Sequence, residues 1–296
     1  MVGLLPEYPI KRVTLSFPTL FTRCNTTGCF RVNRIRERTS GPVLRILFIR
    51  TMAQNIYDNQ EFFDGYSKLA RSRIGLQGAP EWPNLQAMVQ DVRDLRVMDL
   101  GCGFGWFCRW ARQAGAARVH GIDISQNMLS KALTFGSDPA ITYESADLDL
   151  ITLPVESFDL VYSSLAFHYL VDLRRLFGHI YNTLTPQGRF VYSVEHPTNS
   201  SPSNPSWQRT EDGQLFWPLN NYSQEGPRIT DWLTKGVRRY HRTLDTYLSL
   251  LLEAGFTLTS LKEWVPSDEY LRDHPDWAEE RHRPVFLLVA AAEKVN

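Results

Sequence analysis

The chain has 296 residues, 43% hydrophobic and 22% charged, with a formal net charge of zero; this suits one sizeable α/β body with an added lobe and excludes a wholly disordered chain. The charge is uneven, with nine Lys or Arg against Glu7 and Glu37 in residues 1–50, leaving 23 basic against 30 acidic residues in the remainder. A mildly acidic body argues against a nucleic-acid partner, which calls for a basic face, and no apolar run approaches the ~20 residues that cross a bilayer.

Residues 1–50 set Arg23, Arg31, Arg34, Arg36, Arg38, Arg45 and Arg50 among Ser and Thr, with Pro6, Pro9 and Pro18 breaking any long helix. Two readings compete: a mitochondrial transit peptide, and a disordered basic extension or non-native start over 1–51, with Met52 as the natural beginning. The segment lacks sustained amphipathic periodicity, which favours the second and places the domain at 52–296. Cys24, Cys29, Cys102 and Cys108 form neither a metal pattern nor a disulfide framework, so a reducing, cytoplasmic setting is expected.

From Gln54 the text IYDNQEFFDGYSKLARSRIGL carries Tyr57, Phe62, Phe63 and Tyr66 at helical spacings and predicts a helix. Trp82 and Pro83 open a second, running through Val92. Residues 97–100 then read as a buried strand entering a turn with Gly101, Gly103 and Gly105, and 106–113 continue at helical spacing, which makes a nucleotide-type binding loop. The glycines fall as GxGxG rather than the dinucleotide GxGxxG. Asp99 stands two residues ahead of the first, where a carboxylate at a strand end accepts hydrogen bonds from an ammonium group; the first ligand expected is a nucleoside with a cationic tail.

Alternation continues downstream. A strand over 118–124 ends in Asp123, about twenty residues past the loop, where an acid accepts both ribose hydroxyls. Ser125 reads as the cap of a helix over 126–133, with Met128 either against an adenine or facing the sheet as core. A third strand covers 141–146, a fourth with its lead-in 153–164, a helix 172–184, and a fifth strand 189–194 after the turn at 184–188. Residues 197–240 break the pattern with Pro197, Pro202, Pro205 and Pro218 among Trp207, Phe216, Trp217, Tyr222 and Trp232. A helix over 243–254, a strand over 256–264, a charged helical connection over 268–283 and a last strand over 284–292 follow. Such βαβα order predicts an α/β fold whose parallel sheet carries helices on both faces, with ligands outside the strand C-termini.

The DxGxGxG run of 99–105, the acid at 123, Asp147-Leu148, the "LP…SFDLV" text of 153–161 and the LTPQG turn of 184–188 resemble, in order, the motifs of class I S-adenosylmethionine (SAM)-dependent methyltransferases of the small-molecule type. The likeness covers 54–293 and is to the broad group of quinone-biosynthesis and natural-product enzymes. It implies a Rossmann-like, mostly parallel seven-stranded sheet, an antiparallel last hairpin, and a substrate-lobe insertion after strand five at 197–240. It also implies SAM as cofactor, met by Asp99, Gly101, Cys102, Gly103 and Gly105 at the loop, Asp123 and Ile124 at the ribose, Met128, Asp147 and Leu148 at the adenine, and Ser164 after strand four. Tyr57, Tyr66 and Arg71 would come from an N-terminal helix folded over the pocket. Gln187 replaces the first glycine of the family's "LxPGG" turn, a departure expected to leave cofactor binding intact.

The function so implied is methyl transfer to a small-molecule acceptor through an O, N or S nucleophile, by an in-line displacement in which positioning does most of the work. An aromatic-rich insertion suggests an apolar or aromatic acceptor, although the same rings could form a small core. A protonated nucleophile needs a base, for which His168 and His196 are the candidates, each equally readable as an orienting wall residue. His274 and His282 lack ligand-like neighbours, so no metal is expected. The glycine spacing counts against a dehydrogenase, and Ser163-Ser164-Leu165-Ala166 lacks the Asn/Asp-Pro-Pro-aromatic turn that grips a flipped base. A non-catalytic SAM-binding or scaffolding relative is the alternative from another class. Acceptor atom and oligomeric state are not written in the sequence.

Overall fold

The computed structural model describes residues 53–293; the extension expected over 1–51 lies outside them. A 3-10 turn, Ile56–Asp58, is followed by α1 (Gln60–Tyr66), α2 (Ala70–Arg73) and a second 3-10 turn, Gly75–Gly78. The helix expected from Gln54 onward is thus four short pieces. Its breaks are local: Asn59 adopts an extended conformation and its side chain accepts the Phe62 N–H at 3.0 Å, restarting the helix as a cap, while Leu69 is again extended. Then α3 (Trp82–Val89) stops short of Val92, because Gln90 turns to φ 61°.

The alternating region supplies β1 (Arg96–Leu100), α4 (Trp106–Gln113), β2 (Arg118–Asp123), α5 (Gln126–Leu133), β3 (Ile141–Ser145), β4 (Phe158–Ser164), α6 (Leu173–Thr183) and β5 (Leu184–Glu195). Ser125 and Asp172 cap α5 and α6 by accepting the N–H groups of Met128 (3.1 Å) and Arg175 (3.0 Å). Strand β5 begins earlier than expected, at Leu184, because the turn is absorbed in a register shift against β4 between Phe158 and Leu160. Gln187 there sits at φ 68°, a left-handed conformation that suits the glycine it replaces.

After β5 come α7 (Pro197–Ser200), the hairpin of β6 (Gln208–Arg209) with β7 (Leu215–Phe216), and the longer hairpin of β8 (Gly226–Trp232) with β9 (Thr234–His241). The chain ends with α8 (Leu244–Glu253), β10 (Phe256–Trp264), α9 (Asp268–Asp273), a 3-10 stretch Pro275–His282, and β11 (Phe286–Glu293).

The seven-stranded sheet has the order β10-β11-β5-β4-β1-β2-β3. Strands β5 to β3 are parallel, and β11 runs antiparallel to both β5 and β10. Both faces are covered. On one, Phe177 and Ile180 of α6 and Leu251 of α8 pack with Phe190, Tyr192 and Leu287; on the other, Leu85 of α3 and Phe107 of α4 pack with Val97, Tyr162 and Leu288. Each such side chain contributes about 1.5–3 kcal/mol when fully buried. From β1 the chain moves to β2 on one side while β4 lies on the other, and this reversal opens a crevice at the strand C-termini.

One packing contact gives a direct test. Gly105 stands at φ 68° ahead of α4, and a Cβ there would lie 2.2 Å from the Tyr143 hydroxyl. Gly105→Ala is expected to cost about 2–4 kcal/mol through left-handed strain and overpacking, with part recovered in a Tyr143→Phe background. Urea denaturation reads both, and an unchanged midpoint in the single variant would contradict the contact.

Candidate active site

At the end of β1 the N–H groups of Gly101 and Cys102 donate to the Ile122 carbonyl at 2.7 and 3.0 Å, lashing the glycine turn to β2. Gly101 has φ 81°, and a Cβ there would meet Ala166 Cβ at 2.4 Å, so the turn passes the exit of β4 only as glycine. The Gly103 N–H donates to Asp123 Oδ2 at 2.8 Å, and the Ser125 N–H to Oδ1 at 2.9 Å. Each carboxylate oxygen keeps a further lone pair for a ligand hydroxyl. Burial pushes Asp123 up to about 6 against the lowering effect of those two N–H donors. Burial likewise pushes Asp99 up to about 7, opposed by the Cys108 thiol, which donates to it at 3.3 Å.

Gly101, Gly103, Asp123 and Ala166 border a cavity of ≈ 750 Å³ that fills the crevice. Of the residues expected from sequence, Gly101, Gly103, Asp123, Ile124, Met128, Asp147 and Leu148 line it from the β1 to β3 side, Ser164 and His168 from beyond β4, and Tyr57, Tyr66 and Arg71 from the N-terminal pieces. Asp99 and Cys102 line a smaller cavity of ≈ 90 Å³, whose wall shares Tyr66, Arg71, Gly101, Gly103 and Ser164 with the larger one.

Two expected residues are placed elsewhere. Gly105 lines neither cavity, and its missing side chain admits Tyr143 instead. His196 is also away from the cavity: its Nε2–H donates to Glu263 Oε1 at 2.9 Å, and its Nδ1 accepts the Thr198 N–H at 3.2 Å as the cap of α7. Both ring nitrogens are engaged structurally, which corrects the expectation of a base at this position.

His168 does reach the cavity, 3% exposed, with Nδ1 accepting the Glu195 N–H at 3.5 Å. Burial lowers it to about 4, despite the opposing Glu195 carboxylate. Glu195 itself pairs with Arg239; burial raises its pKa, but Arg239 and then His168 outweigh that and hold it below the usual carboxylate value. Arg71 is held by two 3.1 Å contacts to Glu81, whose side chain is fully buried.

Several residues that position the site carry no local sequence signal. Asp58 Oδ1 accepts Ser125 Oγ–H at 2.6 Å and the Asn127 N–H at 3.0 Å, so it docks the first 3-10 turn onto the start of α5, beside Asp123. Gln54 donates to the Gly236 carbonyl (2.9 Å) and accepts the Arg238 N–H (2.7 Å), tying that same segment to the β8–β9 hairpin. Arg175 donates to the carbonyls of Leu148 (2.8 Å) and Ile151 (2.6 Å), fixing the loop after β3. On the far wall stand Trp217, Arg228, Trp232, Arg239, Trp277 and Arg283. The aromatic insertion expected from sequence therefore contributes Trp217 and Trp232 to the cavity, while Trp207 packs edge-on against Trp217 at 5.1 Å.

Comparison with known proteins decides the family. Residues 98–192 match the family model described as a methyltransferase domain. A crystal structure of an S-adenosylmethionine-dependent methyltransferase from Mesorhizobium loti is 51% identical, with TM-score 0.72, covering 74% of this chain and all of that one. The chain belongs to the SAM-dependent methyltransferases. An uncharacterized Haemophilus influenzae protein is 31% identical over 249 residues, covering 80% of this methyltransferase and 96% of that protein. The malonyl-[acyl-carrier protein] O-methyltransferase of Pectobacterium atrosepticum is 32% identical over 130 residues, 44% of this chain and half of the relative.

The cofactor of this methyltransferase is S-adenosylmethionine, and the residues present fit it. Asp123 offers acceptor lone pairs to a diol, the Asp99 carboxylate suits an ammonium group, and Gly103 leaves a cradle in which an added Cβ would press on Met128 Cε at 3.4 Å. Among the described residues no group of three or more His, Cys, Asp or Glu is placed to hold a metal ion, and no helix is long and apolar enough to cross a membrane.

The raised acids predict a pH effect on the ligand-free protein. Both lie above the ordinary aspartate value of 3.8, so between that pH and their folded-state values the folded form binds more protons than the unfolded chain, and their cost to stability grows as pH rises from about 4 and levels off above about 7. Relative to an Asp99→Asn, Asp123→Asn double variant, the wild type should lose stability as pH rises from about 4 to about 7. A difference independent of pH would contradict the burial of these charges.

Proposed function

We propose that the cavity holds SAM along the C-terminal edges of β1, β2 and β3 and a small-molecule methyl acceptor between the ends of β4 and β5 and the insertion. The observation that carries this reading is Asp123: a buried carboxylate fixed by two backbone N–H groups, with its spare lone pairs at the wall of a cavity that continues to the insertion. In this reading Asp123 receives the ribose hydroxyls, Asp147 and the Leu148 backbone meet the adenine edge, and Ile124 and Met128 pack on its faces. Asp99 receives the ammonium of the amino-acid end, Arg71 its carboxylate, and Tyr66 and Cys102 close that end.

Bound SAM supplies a methyl group on a sulfonium, an electrophile with a good leaving group. The protein's contribution is placement and exclusion of water, effects that together supply about 7–11 kcal/mol in favourable cases. Tyr57 packs edge-on with Tyr66 (5.1 Å) and Tyr169 (5.8 Å), making an aromatic roof anchored by Asp58 and Gln54. His168, neutral at working pH and with Nδ1 occupied, keeps its ring proton on Nε2; it donates a hydrogen bond and orients the acceptor rather than removing a proton. Trp217, Trp232 and Trp277 suit an apolar or planar acceptor body.

Calorimetric titration tests the reading: SAM and S-adenosylhomocysteine should bind and NADH should not. Asp123→Ala should weaken SAM tenfold or more, about 1.4 kcal/mol, and SAM affinity should fall as pH drops through 7 and 6, where Asp99 and Asp123 take up protons. A folded Asp123→Ala protein that binds SAM like the parent would remove the ribose assignment. For His168, turnover should drop in His168→Ala with no pH-rate limb between 5 and 8 disappearing. Loss of such a limb would restore the histidine as base.

A further inference from the structure

We infer that the methyl acceptor carries a carboxylate and that Arg283 holds it at the insertion end of the cavity; the inference rests on the methyl-transfer reading of the same cavity. Arg283 lines that wall and is only 8% exposed. Its guanidinium is fixed by packing, with Cζ 3.8 Å from the Trp217 ring centre and 5.3 Å from that of Trp207. Nη2 lies 2.9 Å from Glu280 Oε2, but Nε and Nη1 are buried without a hydrogen-bond partner among the described residues. Buried N–H groups left unmet on a cation are costly, and an anionic oxygen arriving in the cavity removes that cost.

The surrounding charges point the same way. Arg239 is matched by Glu195, and Arg283 by Glu280. Arg228 also lines the wall, yet it donates only to backbone carbonyls, including Gln224 at 2.6 Å and Ser201 at 3.3 Å. Asp231 and Asp276 also line the cavity but are exposed, so water screens their charge. The less exposed part of the wall thus has three guanidinium groups against two carboxylates, a surplus of one charge. A monoanionic carboxylate matches it, whereas a phosphate dianion would overcharge a wall that already holds Glu195 and Glu280. A cationic acceptor would leave the Arg283 donors unmet and add to the surplus charge, and a neutral carbonyl would meet them with a weaker bond and leave the charge unbalanced. Trp217 lies against Arg283 and Trp277 lines the same cavity, surfaces on which the apolar or planar body of the acid can rest.

The experiment is calorimetric titration of the enzyme saturated with S-adenosylhomocysteine, using phenylacetate and trans-cinnamate against phenylacetamide and cinnamamide. The acids should bind at least tenfold more tightly than their amides. Arg283→Gln should erase the preference and Arg283→Lys should keep part of it, with S-adenosylhomocysteine affinity unchanged in both. Acids that bind no better than their amides, or not at all, or a preference that survives Arg283→Gln, would overturn the carboxylate site. Failure of the wild type to bind S-adenosylhomocysteine would instead count against the methyl-transfer reading, so the two are separable.

Discussion

The arrangement depends on one buried carboxylate. Asp123 ends β2 with its two oxygens held by the N–H groups of Gly103 and Ser125, which belong to the turns leaving β1 and β2. That single side chain therefore sets the spacing of two loops, and the loops set the floor of the cavity. Its ionised form is costly where it sits, since burial raises its pKa to about 6, and a hydroxyl donor arriving in the cavity would reduce that cost. Gly101 follows from the same geometry, because the turn must pass Ala166 without a side chain.

The roof is attached to this floor rather than hinged far from it. Asp58 reaches the helix start beside Asp123, and Gln54 reaches the β8–β9 hairpin, so one segment connects the loop after β2 to the insertion. Ile56, Phe62 and Val237 form a small core of their own under that connection, with Tyr57, Tyr66 and Tyr169 packed against it. Edge-to-face aromatic pairs of this kind contribute about 0.5–1.5 kcal/mol each beyond their burial. The cavity is thereby closed by ordinary packing, and its insertion end inherits side chains from elements far apart in sequence: Glu195 at the end of β5, Arg239 from β9 and Arg283 ahead of β11.

What was legible in the sequence was whatever has a local signature. Strands β1 to β4, the glycine turn and Asp123 at its spacing follow from periodicity and turn residues within short windows, while the antiparallel pairing of the last two strands comes from the family resemblance. The broken helix after Gln54 escaped because its aromatic spacing is helical while Asn59, which caps the next turn, and Leu69 adopt extended backbone. His196 looked like a base from its place after β5, but its partner Glu263 lies 67 residues away. Asp58 and Arg283 escaped for the same reason: one caps a helix 67 residues downstream, and the other rests on a tryptophan of the insertion. Gly105, although part of the motif, is explained by Tyr143 across the α4 to β3 contact rather than by the cavity.

The most direct test of the account is a crystal structure with S-adenosylhomocysteine bound. The account predicts the ribose hydroxyls on Asp123, the adenine beside Asp147 and Leu148, and the sulfur facing the part of the cavity walled by His168 and Glu195. A ribose paired with any other acid, or a sulfur directed away from that wall, would contradict it.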